Sequence, residues 1–359
     1  MLNWLLAAAL AVQADALPPP AAIEPPPPPG QVLAVPEELR TALHARIAKP
    51  YPPRRERLQQ LVDFMFAPGG MGIQYSADAT HTVAESWQTR QANCLAFTLL
   101  TIALARELDL PAYGQEIERV LSSEVAGNVL LQSSHVNAGV FINGGRLVVD
   151  VASNEVLPIS PPRRISDRHL LALFYNNRAM QFLVDGRTAE ASAWLDAALD
   201  QDTTDPTLWN NAGVVSLRTG DPASAERLFL KALKKNPRQP AALYNIVSYY
   251  QHSGDAKQAA RWQARAERVM RNDPVQQSAL GLQSERAGDY TEAVRRFRQA
   301  IAMNRDEQLF HFGLARAYLG LGQLQLADSE LVRAHDLASD PDRVRYQAKL
   351  DALRRMPRR

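Results

Sequence analysis

Apolar positions along the chain follow three different rhythms. Glu37 to Ala48 and Arg54 to Phe66 place apolar residues every third or fourth position, which predicts two amphipathic helices. Gly69-Gly70 breaks that rhythm. From Cys94 to Leu108 the residues are apolar all round, which predicts a buried helix ending near Leu108-Asp109-Leu110-Pro111. Strand-like stretches come next: Gln115 to Leu121, His135 to Ile142 and Arg146 to Ala152. From about Ala172 the rhythm is helical again and repeats to the end.

Asn143-Gly144 lies between two alternating stretches and predicts a type I′ hairpin. A two-residue turn fixes the register. Val140 then faces Leu147, Ala138 faces Val149 and Val136 faces Val151, so one face is wholly apolar. The other face carries His135, Asn137, Gly139 and Phe141. On it His135 and Asp150 are diagonal neighbours within side-chain reach, and Asn137 lies directly across from Asp150.

The repetition has a period of 34 residues. Gly186, Gly220, Gly254, Gly288 and Gly322 share one register. Ala191, Ala225, Ala259, Ala293 and Ala327 share a second, and Ala198, Ala232, Ala266, Ala300 and Ala334 a third. Pro206, Pro240 and Pro274 start successive units. The glycines turn the chain between two helices and the alanines let those helices approach closely. This resembles the tetratricopeptide repeat. Five units are expected in an all-α solenoid over 166–341, with a cap helix and basic tail over 342–359. Asn177, Asn211 and Asn245 recur at 34 residues and are candidates for binding an extended peptide. Ala241 and Asn245 stand where the resemblance would place basic residues to clamp a C-terminal carboxylate. That kind of receptor is therefore not expected.

The only cysteine, Cys94, falls in the first turn of its helix, where the positive end of the helix dipole favours a thiolate. His135 and Asp150 follow it in the order and spacing of a Cys-His-Asp triad. The His would act as base and later protonate the leaving group, and the Asp would hold the useful tautomer. Trp87 to Ala112 followed by His135 to Ala152 resembles the core of bacterial transglutaminase-like proteins, which share the papain-type α+β fold. The resemblance implies Cys94 as nucleophile, His135 as base and Asp150 as orienter. The chain departs from that family at Ala92 and Asp109, where glycines are usual. Oxyanion donors would be the Cys94 backbone N–H with Gln88 or Trp87. Asn137 is an auxiliary candidate.

Composition bounds the rest. Forty Lys and Arg against 38 Asp and Glu leave a net charge of +2, and no basic run interleaves with aromatics, so no nucleic-acid partner is expected. The remaining histidines show no metal-ligand spacing, and no cofactor or metal is implied. Residues 1–16 are apolar and end in Ala14-Asp15-Ala16, which resembles a signal peptide and points to a periplasmic or secreted protein. No transmembrane span is expected after processing. Residues 17–36 hold nine prolines and read as an extended linker before a cysteine domain at 37–165. The expected function is an exported cysteine acyltransferase or peptidase/amidase acting on protein or peptide amides, with the repeat groove holding substrate or a protein partner. The alternative is a tetratricopeptide-repeat scaffold whose enzyme-like domain is inactive.

Overall fold

The computed structural model describes residues 23, 25–47, 51–117, 123–126, 129–132, 135–151, 162–338 and 340–355. The expected signal peptide lies outside them. The second half of the proline-rich segment is not a free spacer. It forms one helical turn, α1 (Pro29–Val32), with Val32 fully buried. The Tyr175 hydroxyl donates to the Pro27 carbonyl at 2.7 Å. Val32, with Leu33 and Val35 packed against the same core, and one backbone acceptor strap this segment to the folded body.

Next come α2 (Glu37–Arg46), α3 (Arg54–Phe66), β1 (Gln74–Tyr75), α4 (Val83–Thr89), β2 (Gln91–Ala92) and α5 (Cys94–Glu107). Thr82 and Glu85 close a capping box on α4, and Arg90 ends it in the left-handed region at φ 59°. The α5 helix is buried from Leu95 to Ala105, as an all-round apolar run requires. Asp109, just after it, also takes a left-handed φ of 53°. The usual glycine is absent there, but an aspartate tolerates that conformation.

The strands that follow are β3 (Ala112–Ile117), β4 (Ser123–Ala126), β5 (Val129–Gln132), β6 (His135–Ile142), β7 (Gly145–Val149) and β8 (Arg163–Ile165). Four of them form a sheet in the order β7-β6-β3-β8, with every described pair antiparallel. The expected strand at Gln115 begins three residues earlier, at Ala112. Every residue of β3 is buried, so burial there does not alternate between two faces. The β4 and β5 strands form a separate ribbon.

Five helix pairs complete the chain: α6 (Asp167–Val184) with α7 (Thr188–Gln201), α8 (Pro206–Arg218) with α9 (Pro222–Lys235), α10 (Pro240–His252) with α11 (Ala256–Arg271), α12 (Pro274–Arg286) with α13 (Tyr290–Met303), and α14 (Gln308–Gly320) with α15 (Leu324–Leu337). The last element is α16 (Asp340–Arg354). The five register glycines sit between paired helices at φ 72–80°, a conformation that side chains resist. First helices touch one another, α6 with α8, α8 with α10 and α12 with α14, and so line one face of the stack.

Two features of the packing have consequences for stability. The core is continuous across residue 166: Leu170, Leu171, Phe174 and Trp194 belong to the same core as α5 and the sheet. A fragment 166–355 therefore loses the cover of α6. Limited proteolysis should cut it in α6 or α7, where the full chain resists. Equal resistance would show that the repeats cap themselves. The second feature is a thin joint. The cores at 214–269 and 293–353 are separate, and α12 buries only Gln277, Ser278 and Gly281. Hydrogen exchange of α12 should be faster than that of α10 or α14, and equal protection would count against a soft joint there.

Candidate functional site

The N-terminus of α5 is held from several sides. The Asn93 side-chain oxygen accepts from the Ala96 N–H at 2.9 Å, and its amide donates to Thr80 Oγ1 at 2.7 Å. The Asn93 N–H bonds to the Ala79 carbonyl at 3.0 Å. The Thr98 hydroxyl donates to the Cys94 carbonyl at 2.7 Å. Cys94 is thus fixed in the first turn, half-buried, as a free thiol.

The hairpin supplies its neighbours. Asn143 and Gly144 take left-handed φ values of 51° and 82°, and Ala138 pairs with Val149 and Val140 with Leu147. This register brings His135 Nε2 to 2.8 Å from Asp150 Oδ2. Asn137 Nδ2 donates to the same oxygen at 3.3 Å. Burial disfavours a charged His135. The Asp150 hydrogen bond, the interaction with Cys94 and the Coulombic attraction of both outweigh it and hold the imidazole at about 9, above its ordinary 6.5. His135 is therefore an imidazolium at neutral pH. With Nε2 on Asp150, Nδ1 is the nitrogen left to serve the sulfur. A cation so placed can stabilise a thiolate and can protonate a leaving amine.

The auxiliary candidates are placed less directly. Trp87 is half-buried, with the Arg90 guanidinium 3.6 Å from its ring centroid. Gln88 is exposed on the last turn of α4. Among the described residues neither side chain makes a hydrogen bond to the Cys94–His135–Asp150 cluster. Sequence reasoning missed Tyr113 and Gln115. Gln115 pairs with Asn137 across the strands, and a side chain at Gly139 would collide with both Tyr113 and Gln115. The signal for them was their even spacing with Ile117, which pairs with His135. The Asn137 and Gln115 amide oxygens are both buried without a hydrogen-bond partner.

The recurring asparagines are placed differently from expectation. Asn211 Nδ2 donates to Asn176 Oδ1 at 2.8 Å, Asn210 Nδ2 to Asn211 Oδ1 at 3.1 Å, and Asn245 Nδ2 to Asn210 Oδ1 at 2.9 Å. All four are buried. They form an amide relay across α6, α8 and α10 rather than a row of open amides. Asn177 is half-buried beside the relay, and its neighbour Asn176 takes part instead. The doublets Asn176-Asn177 and Asn210-Asn211, 34 residues apart, were the available signal. Among the described residues no cluster of His, Cys, Asp or Glu is placed to hold a metal ion, and no helix is long and apolar enough to cross a membrane.

Two stretches, 211–276 and 286–353, match models of the tetratricopeptide repeat. Solved structures are similar over about half the chain. One is YrrB, described as a TPR protein with an unusual peptide-binding site: 21% identical, covering 50% of this chain and 91% of that one, TM-score 0.26. Another is TTC0263, a thermophilic TPR protein of Thermus thermophilus: 23% identical, covering 50% and 98%, TM-score 0.28. A third is pilF of Pseudomonas aeruginosa: 16% identical, covering 52% and 90%, TM-score 0.28. No curated protein matches the chain. The chain carries tetratricopeptide repeats, which rests on the family models and the 34-residue register. Neither model reaches the segment that holds Cys94, His135 and Asp150.

Proposed function

We propose that the chain is a tetratricopeptide-repeat scaffold that holds a protein or peptide partner on the face lined by its first helices. The observation that carries this reading is the stacking of five helix pairs with α6, α8 and α10 side by side, and α12 beside α14. Such solenoids present extended surfaces rather than closed pockets. A photocrosslinker in place of Tyr244, exposed on α10 beside Asn245, tests it. A discrete crosslinked partner supports the scaffold, and no product from this position or from Asn177 argues against it. The apolar start ending at Ala14-Asp15-Ala16 supports an exported, cell-envelope location. Mass spectrometry finding an intact Met1 on the native protein would exclude processing.

The His135–Asp150 geometry favours a second activity on the same chain, acyl transfer of the transglutaminase-like, papain-type kind. A Cys94 thiolate would attack the carbonyl carbon of a protein or peptide amide. The tetrahedral oxyanion would be met by the Cys94 backbone N–H, with Trp87 or Gln88 as second donor. Its collapse would break the C–N bond, and the leaving amine would take a proton from the His135 imidazolium. Water or an amine would then open the thioester and return its proton to His135. Thiol-directed labelling of the folded protein at several pH values separates the two readings. A reactive Cys94 supports catalysis, and an inert one leaves the scaffold alone.

A further inference from the structure

The β4–β5 ribbon leaves the sheet and packs β5 against α10 and α8, the first helices of the third and second repeats. The α10 helix is buried on more than its core side. Ala242, Leu243, Ile246 and Val247 fill the core shared with α9 and α11. Ala241 and Asn245, one turn apart on another stripe, are also buried, at 0% and 1% exposure, and Ala241 is not part of that core. Asn210 on α8 is fully buried too. Outside the solenoid, β5 is packed on α10.

We propose that the β4–β5 hairpin is an internal occupant of the solenoid's inner face at α8 and α10, so that an extended peptide partner must displace it to bind there. The partner clause rests on the scaffold reading above; the occupancy does not. β5 ends at Gln132 and β6 opens with His135.

A single-thiol chain tests the occupancy. Ala241→Cys in a Cys94→Ala background is labelled with a maleimide, with the hairpin intact and with residues 123–132 replaced by a Gly/Ser run of equal length. The expected result is slow labelling that accelerates by about tenfold or more when the hairpin is replaced. Tyr244→Cys, at an exposed position on the same helix, should label at one rate in both chains. Fast labelling of Ala241→Cys with the hairpin intact, or no acceleration on its replacement, overturns the proposal. So does equal acceleration at both positions, which would mean that α10 itself has loosened. This readout needs no partner, so a failed scaffold reading leaves it standing.

Discussion

His135→Ala should slow alkylation of Cys94 by a haloacetamide at neutral pH by about tenfold or more, because it removes the cation beside the reacting sulfur. The reacting species is the thiolate, and the imidazolium beside it is the charge that favours it. His135 keeps its proton up to about 9 because Asp150 and Cys94 outweigh the cost of burial. The advantage of wild type over the variant should therefore shrink as pH rises and be gone once the imidazole has lost its proton, above about 9. Asp150→Asn should lower the rate less, because it weakens the imidazolium without removing it. Cys94→Ala should abolish labelling and any acyl transfer while changing stability by about 1 kcal/mol or less, since a half-buried first-turn side chain contributes little packing. Equal alkylation rates for wild type and His135→Ala would sink the catalytic reading and leave the scaffold alone.

Local contacts made this centre legible in the sequence. The hairpin could be read because its turn is local: Asn143-Gly144 fixes the register, and the register places His135 against Asp150. The repeats were legible because a 34-residue period samples the same two helix contacts five times. What was not legible depends on partners far away in the chain. The β3 boundary was hidden by burial on both faces. The seating of β5 on α10 is a tertiary choice that no local pattern announces, even though Gly127-Asn128 is a turn signal in the sequence. The asparagines show the same limit. Their spacing was plain, but whether their amides faced a groove or one another depended on packing between repeats. The strap is the short apolar run Val32 to Val35 between prolines, too little to set a periodicity.

The charged seam between the sheet and the repeats belongs to this hidden class, and it should have a large effect on stability. His169, in the first turn of α6, sits near the positive end of that helix, an unfavourable place for a cation. Carboxylates on both sides outweigh this: Asp202 Oδ2 is 2.6 Å from its Nδ1 and Glu116 Oε2 is 3.3 Å from its Nε2. Arg163 holds the same Glu116 oxygen at 2.9 Å. Burial opposes the charge on His169, but Glu116 and Asp202 raise its pKa to about 9 from 6.5. A raised pKa means that the folded state binds the proton more tightly than the unfolded chain. The stabilisation is complete below about 6.5 and is lost as pH climbs through about 9. A shift of that size corresponds to roughly 3 kcal/mol. His169→Ala should then destabilise the chain near pH 6 by about 3 kcal/mol, because Glu116 keeps Arg163 and Asp202 keeps Thr204 but both lose the cation between them. His169→Gln keeps a donor without the charge and should fall in between. His135 is raised over the same interval, so the wild-type midpoint alone cannot assign the slope. The difference between wild type and His169→Gln can: it should be largest near pH 6 and shrink as pH rises past 9. A difference that stays constant across that range would mean that His169 acts through packing and not through its charge.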